Sequence, residues 1–176
     1  MPQVAFGGFE DAQTPFVADY LHPRLDVDAR RWLSAPGMRT FLAIADLWRL
    51  TEEERRLVLG YPSRSTYHNW AKLAREGGAF TLDLDALTRI SAVLGIHAAL
   101  GVLFNSDAEG VAWLRGPNDA TVFGGHPPLA LLTAGSQDAL LTVRRFLDAA
   151  RGGMSMEPNA ADAGLVPYGD DDILVR

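Results

Sequence analysis

From Met38 onward the hydrophobic positions fall into helical steps. Phe41, Ile44, Ala45 and Trp48 stand at i, i+3, i+4 and i+7, one face of a 3.6-residue period. Thr51-Glu52-Glu53-Glu54 predicts a helix start. The threonine hydroxyl would accept the third amide while Glu54 reaches back, a capping box, and three acids suit the positive end of a helix dipole. Leu57, Val58 and Leu59 follow, and Gly60 is placed to end the helix. Pro62 bars continuation, Ser63 is a good N-cap, and Tyr67, Trp70, Ala71 and Ala74 repeat at helical spacing. After the Glu76-Gly77-Gly78 loop, Leu82-Asp83-Leu84-Asp85 opens another helix. Its expected buried stripe is Leu84, Leu87, Ile90 and Leu94, with Gly95 as its stop. A further short helix carries Ile96, Leu100, Leu103 and Phe104. Asn105-Ser106-Asp107 reads as a turn and cap for the helix bearing Val111, Trp113 and Leu114.

The stretch from Trp113 to Gly153 turns through Pro117-Asn118 and Gly124-Gly125 and restarts at Pro127-Pro128. Two short apolar helices follow, broken at Gly135 and stopped by Gly152-Gly153. Residues 1–36 lack a long apolar period: Phe6, Phe9, Phe16, Tyr20 and Leu21 are scattered among Gly, Pro and acidic residues. Val27 to Leu33 predicts a short helix ended by Ser34-Ala35-Pro36-Gly37. This segment fits either a frayed arm or one that wraps a neighbour. Beyond residue 153, Pro158, Gly164, Pro167 and Gly169 punctuate an extended tail that ends acidic and then apolar. It fits a frayed terminus or a peptide that orders inside a partner's groove. No alternating strand pattern occurs after residue 36, so the expected fold is all-α, with sequential helices packed as neighbours. The expected division is 1–36 as an arm, 37–104 as a helical domain, 105–153 as a second small helical domain, and 154–176 as tail.

Composition adds limits. The chain has 176 residues, 48% apolar and 22% charged, and no cysteine, so disulfides and thiolate metal sites are excluded. That suits a reducing cytoplasm. The first residues hold no basic region and carry Glu10 and Asp11, unlike a signal peptide. No apolar run is expected to approach the roughly 20 residues that cross a bilayer. Net charge is −6. Residues 36–78 are mildly basic and both flanks acidic, so nucleic-acid binding by one subunit would be weak and salt-sensitive.

No constellation argues for an enzyme. His22, His68, His97 and His126 lack metal-ligand spacing, and His97 is expected near a helix start with local hydrogen bonds. The glycine pairs lack a P-loop lysine, no G-x-S-x-G occurs, and Gly124-Gly125 fits a tight turn or an anion cradle before a helix. Asp170-Asp171-Asp172 is a solvated run or a weak cation site. No metal and no cofactor are expected.

A helix, a glycine turn and a second polar-headed helix make a helix-turn-helix shape. In DNA readers the start of the second helix meets base edges. Arg64, Ser65, Thr66, His68 and Asn69 would do so here, with Lys72 and Arg75 on phosphates. A plain helical hairpin explains the same residues, with Tyr67 and Trp70 in the core and the polar ones in water.

Three stretches in order carry a family likeness: FLAIADLWRLTEEERRLVLGYPSRSTYHNW, LDALTRISAVLGIHAALGVLF and AWLRGPNDATVFGGHPPLALLTAGSQDALLTVRRFLDAARGG. Over residues 37–153 the chain resembles Xre/MbcA/ParS-type antitoxins. The most specific parts are W-L-x-x-P-N, the Gly-Gly before a Pro-Leu helix, and V-R-x-F-L-x-x-x-x-G-G. The resemblance implies an Xre-like helix-turn-helix domain, a C-terminal toxin-binding domain and a homodimer; autorepression at operator DNA, through Arg64 to Arg75, is a second expectation. It implies a cognate RES-type toxin that acts on NAD, degrading it or working as an ADP-ribosyltransferase. Trp113, Pro117, Asn118, Gly124, Gly125 and Leu129 carry the docking-domain motif, in roles expected to be structural. An NAD pocket must attract pyrophosphate. Asp170, Asp171 and Asp172 with the terminal carboxylate would meet its positive groups, Ile173, Leu174 and Val175 its nucleoside slots, and Arg176 an acid of the toxin. A DNA-binding transcriptional regulator without a toxin partner is the competing expectation.

Overall fold

The computed structural model describes residues 26–152. Seven helices and no strand occur among them, so the fold is all-α. They are α1 (Val27–Leu47), α2 (Glu52–Val58), α3 (Arg64–Glu76), α4 (Leu84–Leu103), α5 (Asp107–Arg115), α6 (Pro128–Leu132) and α7 (Gln137–Arg151). The chain divides into two compact units, with the division after Ser91 and therefore inside α4.

In the first unit α1 packs on α3. The predicted face is its core: Phe41, Ile44, Ala45 and Trp48 are buried, with Met38 beside them. Pro36 does not stop the helix, which corrects the break expected at Ser34–Gly37. Pro36 and Trp32, whose carbonyl loses its amide partner to the proline, are both exposed, so the gap in the hydrogen-bond ladder falls on the solvent side. Ser34 is buried instead. Its hydroxyl donates to the Arg30 carbonyl at 2.6 Å and accepts the Leu82 amide at 2.8 Å, tying α1 to the start of α4. The turn that closes α1 passes through Arg49, held at φ 57°, and the Arg49 and Leu50 amides donate to the Asp46 and Ala45 carbonyls.

Helix α2 carries both halves of the capping box. Its other end closes as predicted: Gly60 stands at φ 86°, and the Gly60 and Tyr61 amides donate to Leu57 and Arg56 carbonyls. Tyr61 also takes a positive φ, 61°. Its ring lies under the Arg56 guanidinium, 4.3 Å away, and its hydroxyl donates to Glu53. Arg56 is buried and donates to the Pro62 carbonyl, so one side chain fixes the whole turn. Ser63 then caps α3 through the Thr66 amide.

Helix α4 corrects two expectations. Gly95 is no stop, because the helix runs unbroken from Leu84 to Leu103 and His97 lies within it. The space over Gly95 holds the Arg144 guanidinium, so a bare backbone is needed for packing rather than for termination. The buried stripe is also rotated: Leu84 is exposed and Leu87 and Leu94 half-buried, while Ala86, Arg89, Ile90, Val93 and Ile96 are buried. Arg89 enters the interior because Asp85 neutralises it at 2.7 Å. By length and composition alone, α4 could cross a membrane, contrary to the expectation that no run approaches that size. Its buried stripe gives it the surroundings of a core helix.

In the second unit α6 packs against both α5 and α7. Ser106 and Ser136 cap α5 and α7, accepting from the Glu109 and Ala139 amides. Gly135, at φ 78°, separates α6 from α7, and Gly152 caps α7.

Candidate functional site

The two candidate surfaces lie in different units. In the first, α3 buries Tyr67, Ala71 and Ala74 and half-buries Trp70. The opposite side presents Arg64, Ser65, His68, Asn69, Lys72 and Arg75 to solvent, with Thr66 half-buried. The seven predicted residues are therefore on one helix, six of them exposed. Ser65 and Thr66 hydroxyls also bond Ser63, at 2.9 and 2.8 Å, as part of the cap.

One participant had no sequence signal. Glu52, at the start of α2, approaches Arg64 at 3.6 Å and His68 at 3.3 Å. It sets a carboxylate beside the exposed polar face of α3. Beneath this face, burial opposes the charge of Arg55. Hydrogen bonding to Asp46 and Tyr67 outweighs it and raises the pKa further. Arg55 also donates to Asp46 at 2.7 Å and to the Leu50 carbonyl at 2.8 Å, so this cation braces the α1–α2 corner.

In the second unit the motif residues build a turn and a groove. Asn118 clasps its loop twice: its side-chain oxygen accepts the Ala120 amide and its carbonyl accepts the Gly125 amide, both at 3.0 Å. Gly124 and Gly125 take φ 56° and 81°, where a side chain would strain the backbone. Helix α6, which follows, has only five residues, and the glycine pair serves the turn. Pro117 is exposed at the loop's entry, while Leu129, in α6, is buried.

Trp113 is the centre of an aromatic cluster. It stacks on Phe146 at 6.1 Å, meets Phe123 edge-on at 5.8 Å and lies 6.1 Å from Phe104. Phe123 and Phe146 meet edge-to-face at 4.9 Å. These rings come from four separate segments, so no local spacing announces the cluster. Phe104, Trp113 and Phe146 floor an open groove of about 640 Å³, and residues 118–121 form one wall. An aromatic floor with an amide and a carboxylate at its rim, Asn118 and Asp119, gives the groove a mixed apolar and polar lining.

Asp170, Asp171, Asp172, Ile173, Leu174, Val175 and Arg176 lie outside the described residues, as does His22. Among the described residues no group of His, Cys, Asp and Glu is placed to hold a metal.

Residues 99–153, which include every residue of the groove and the loop, match the antitoxin Xre/MbcA/ParS C-terminal toxin-binding domain. The chain is also similar to the uncharacterized protein y4oB of Sinorhizobium fredii. The two are 39% identical over 116 residues, which is 66% of this chain and 84% of that relative. A likeness that spans most of a relative, together with a matched toxin-binding domain whose motif residues build one clasped loop, places the chain in the Xre/MbcA/ParS antitoxin family.

Proposed function

We propose that this chain neutralises a cognate RES-type toxin that acts on NAD, without catalysing a reaction of its own. The observation that carries the reading is the aromatic-floored groove inside the matched toxin-binding domain. Residues 105–153 form the platform that holds the toxin. The tail, which continues from α7, reaches the toxin's NAD pocket. There Asp170, Asp171, Asp172 and the terminal carboxylate occupy the groups that would bind pyrophosphate. Ile173, Leu174 and Val175 fill the apolar slots, and Arg176 meets an acid. The setting is the cytoplasm, where NAD is the toxin's substrate.

The test is rescue of cells that express the toxin, with cellular NAD measured alongside growth. The full chain restores both, and a chain cut after Pro167 restores neither while still binding the toxin. Complete rescue by the cut chain would remove the tail from the mechanism. A full chain that neither binds nor rescues would remove the toxin reading.

A second reading is favoured by the exposed polar face of α3. The antitoxin dimer represses its own operon, with residues 37–104 as the DNA-binding domain. Arg64, Ser65, Thr66, His68 and Asn69 meet base edges and Lys72 and Arg75 meet phosphates. Two weak half-site contacts gain avidity by linkage.

A further inference from the structure

Among the described residues, Asp119 is the only ionisable group that lines the aromatic groove, and no lysine, arginine or histidine borders it. Its carboxylate is exposed and has no ion pair or hydrogen bond with any described residue. The loop that carries it is fixed, because the Asn118 side-chain oxygen accepts the Ala120 amide at 3.0 Å. The floor has the same electrostatic sign as the rim. Trp113 and Phe146 are half-buried, with 18° between their planes and 6.1 Å between centroids. Parallel rings in contact lie only about 3.5–4.0 Å apart, plane to plane. These two are therefore slipped, and each leaves part of its face uncovered by the other. Such faces carry negative potential. Phe104 adds a third half-buried ring to the lining.

We infer that the groove receives an arginine side chain of the toxin, its guanidinium stacked on the aromatic floor and forked against the Asp119 carboxylate. The inference rests on the toxin reading above and names the chemistry that the same site takes. Charge complementarity carries it, since an uncompensated carboxylate beside π faces attracts a cation and repels an anion. An apolar side chain would suit the rings alone. It would strip water from Asp119 and return no donor, which is unfavourable. Among cations the guanidinium fits best. It is planar, weakly hydrated, stacks on aromatic faces and offers a carboxylate two parallel N–H donors. A lysine ammonium keeps the charge but has neither the plane nor the fork.

The groove, at about 640 Å³, is larger than one side chain. Residues flanking the arginine therefore enter with it, against Leu103 and Leu147 of the lining. Once the toxin covers the rim, the Asp119 carboxylate loses its water and the pair strengthens accordingly. The arginine then acts as an anchor at the centre of the contact rather than as a solvated ion pair at its edge.

Two measurements on the full chain form the test. In calorimetry with the toxin, Asp119→Asn should weaken binding about tenfold or more and flatten its salt dependence. Unfolding should not change, because the carboxylate has no partner to lose. One toxin arginine, changed to alanine or lysine, should weaken binding to the wild type and add nothing in the Asp119→Asn background. The second measurement needs no toxin. N-acetyl-arginine amide, on the order of 10 mM, should shift the Trp113 indole resonance, assigned with Trp113→Phe. Asp119→Asn should blunt that shift, and N-acetyl-norleucine amide should not produce it. Toxin binding that ignores Asp119→Asn, or tightens as an apolar occupant would make it, overturns the proposal and leaves the toxin reading intact. A loss coupled to no toxin arginine overturns it too. So does an indole signal that is indifferent to the arginine amide, or moved equally by the norleucine amide, whether or not toxin binds. A chain that binds no toxin but answers to the arginine amide sinks the toxin reading and keeps the groove's chemistry.

Discussion

The Arg144 guanidinium lies in the space that a side chain on Gly95 would occupy. Its partner is Asp148, 2.7 Å away and one turn further along α7. Two effects oppose each other in Gly95→Ala. Helix propensity gains about 1 kcal/mol, while a flexible, part-exposed guanidinium is pushed aside. The net change should stay within about 1 kcal/mol. In an Arg144→Ala background the same substitution should stabilise by the full ~1 kcal/mol. Denaturant unfolding of the four proteins of this cycle measures the coupling; additive effects would contradict the packing described.

Gly60 and Gly77 both hold positive φ, but their surroundings differ. A side-chain carbon at Gly60 would stand 3.0 Å from Asp85 Oδ2 and 3.1 Å from Arg89 Nε, whereas nothing lies within 4 Å of one at Gly77. Gly77→Ala should cost about 1 kcal/mol from backbone strain alone. Gly60→Ala should cost roughly 2–3 kcal/mol, because the strain is joined by displacement of the Arg89–Asp85 pair. Equal losses in thermal or urea unfolding would show that the second contact does not matter.

Phe123 and Phe146 touch, yet only Phe123 is fully buried. Phe123→Ala should lose about 3–5 kcal/mol of stability. Phe146→Ala should lose less and should weaken toxin binding out of proportion to that loss, because its ring lies on the groove floor. Calorimetric titration with the toxin, set against unfolding curves, separates the two. Toxin affinity untouched by Phe146→Ala would move the docking surface elsewhere.

Glu52 contributes little to stability through its exposed pairs with Arg64 and His68. If α3 reads the operator, Glu52→Gln should tighten DNA binding several-fold by freeing both partners and removing a repelled carboxylate. Arg64→Ala and Lys72→Ala should weaken it, and the Lys72 change should also flatten the salt dependence. Gel shifts across a salt series decide; binding indifferent to all three would mean that α3 is not the reader.

Features settled by local chemistry were legible before the fold. The Thr51–Glu54 box, the Ser63 and Ser106 caps and the Gly60 stop each need only neighbouring residues. Misreadings arose where a distant partner overrides a local preference. Pro36 and Gly95 look like breakers, but one faces solvent and the other yields its space to Arg144. The α4 stripe was displaced because Arg89, neutralised by Asp85, occupies a position that hydrophobicity alone leaves to water. The stop at Arg49 carries no glycine and so gave no signal. At the candidate site the clasped loop was legible as a motif. The rings that complete the groove were not, since Phe104, Phe123 and Phe146 meet only in three dimensions.

The bond between the Ser34 hydroxyl and the Leu82 amide bears on where translation can start. Met38 is an internal methionine only four residues further on, and a chain begun there would keep less than half of α1, residues 38–47, and every later helix. The product would lack Ser34. It would lose the acceptor of the Leu82 amide, and with it the bond that ties α1 to the start of α4. A second start site at Met38 would thus yield a weakened first unit joined to an intact second one.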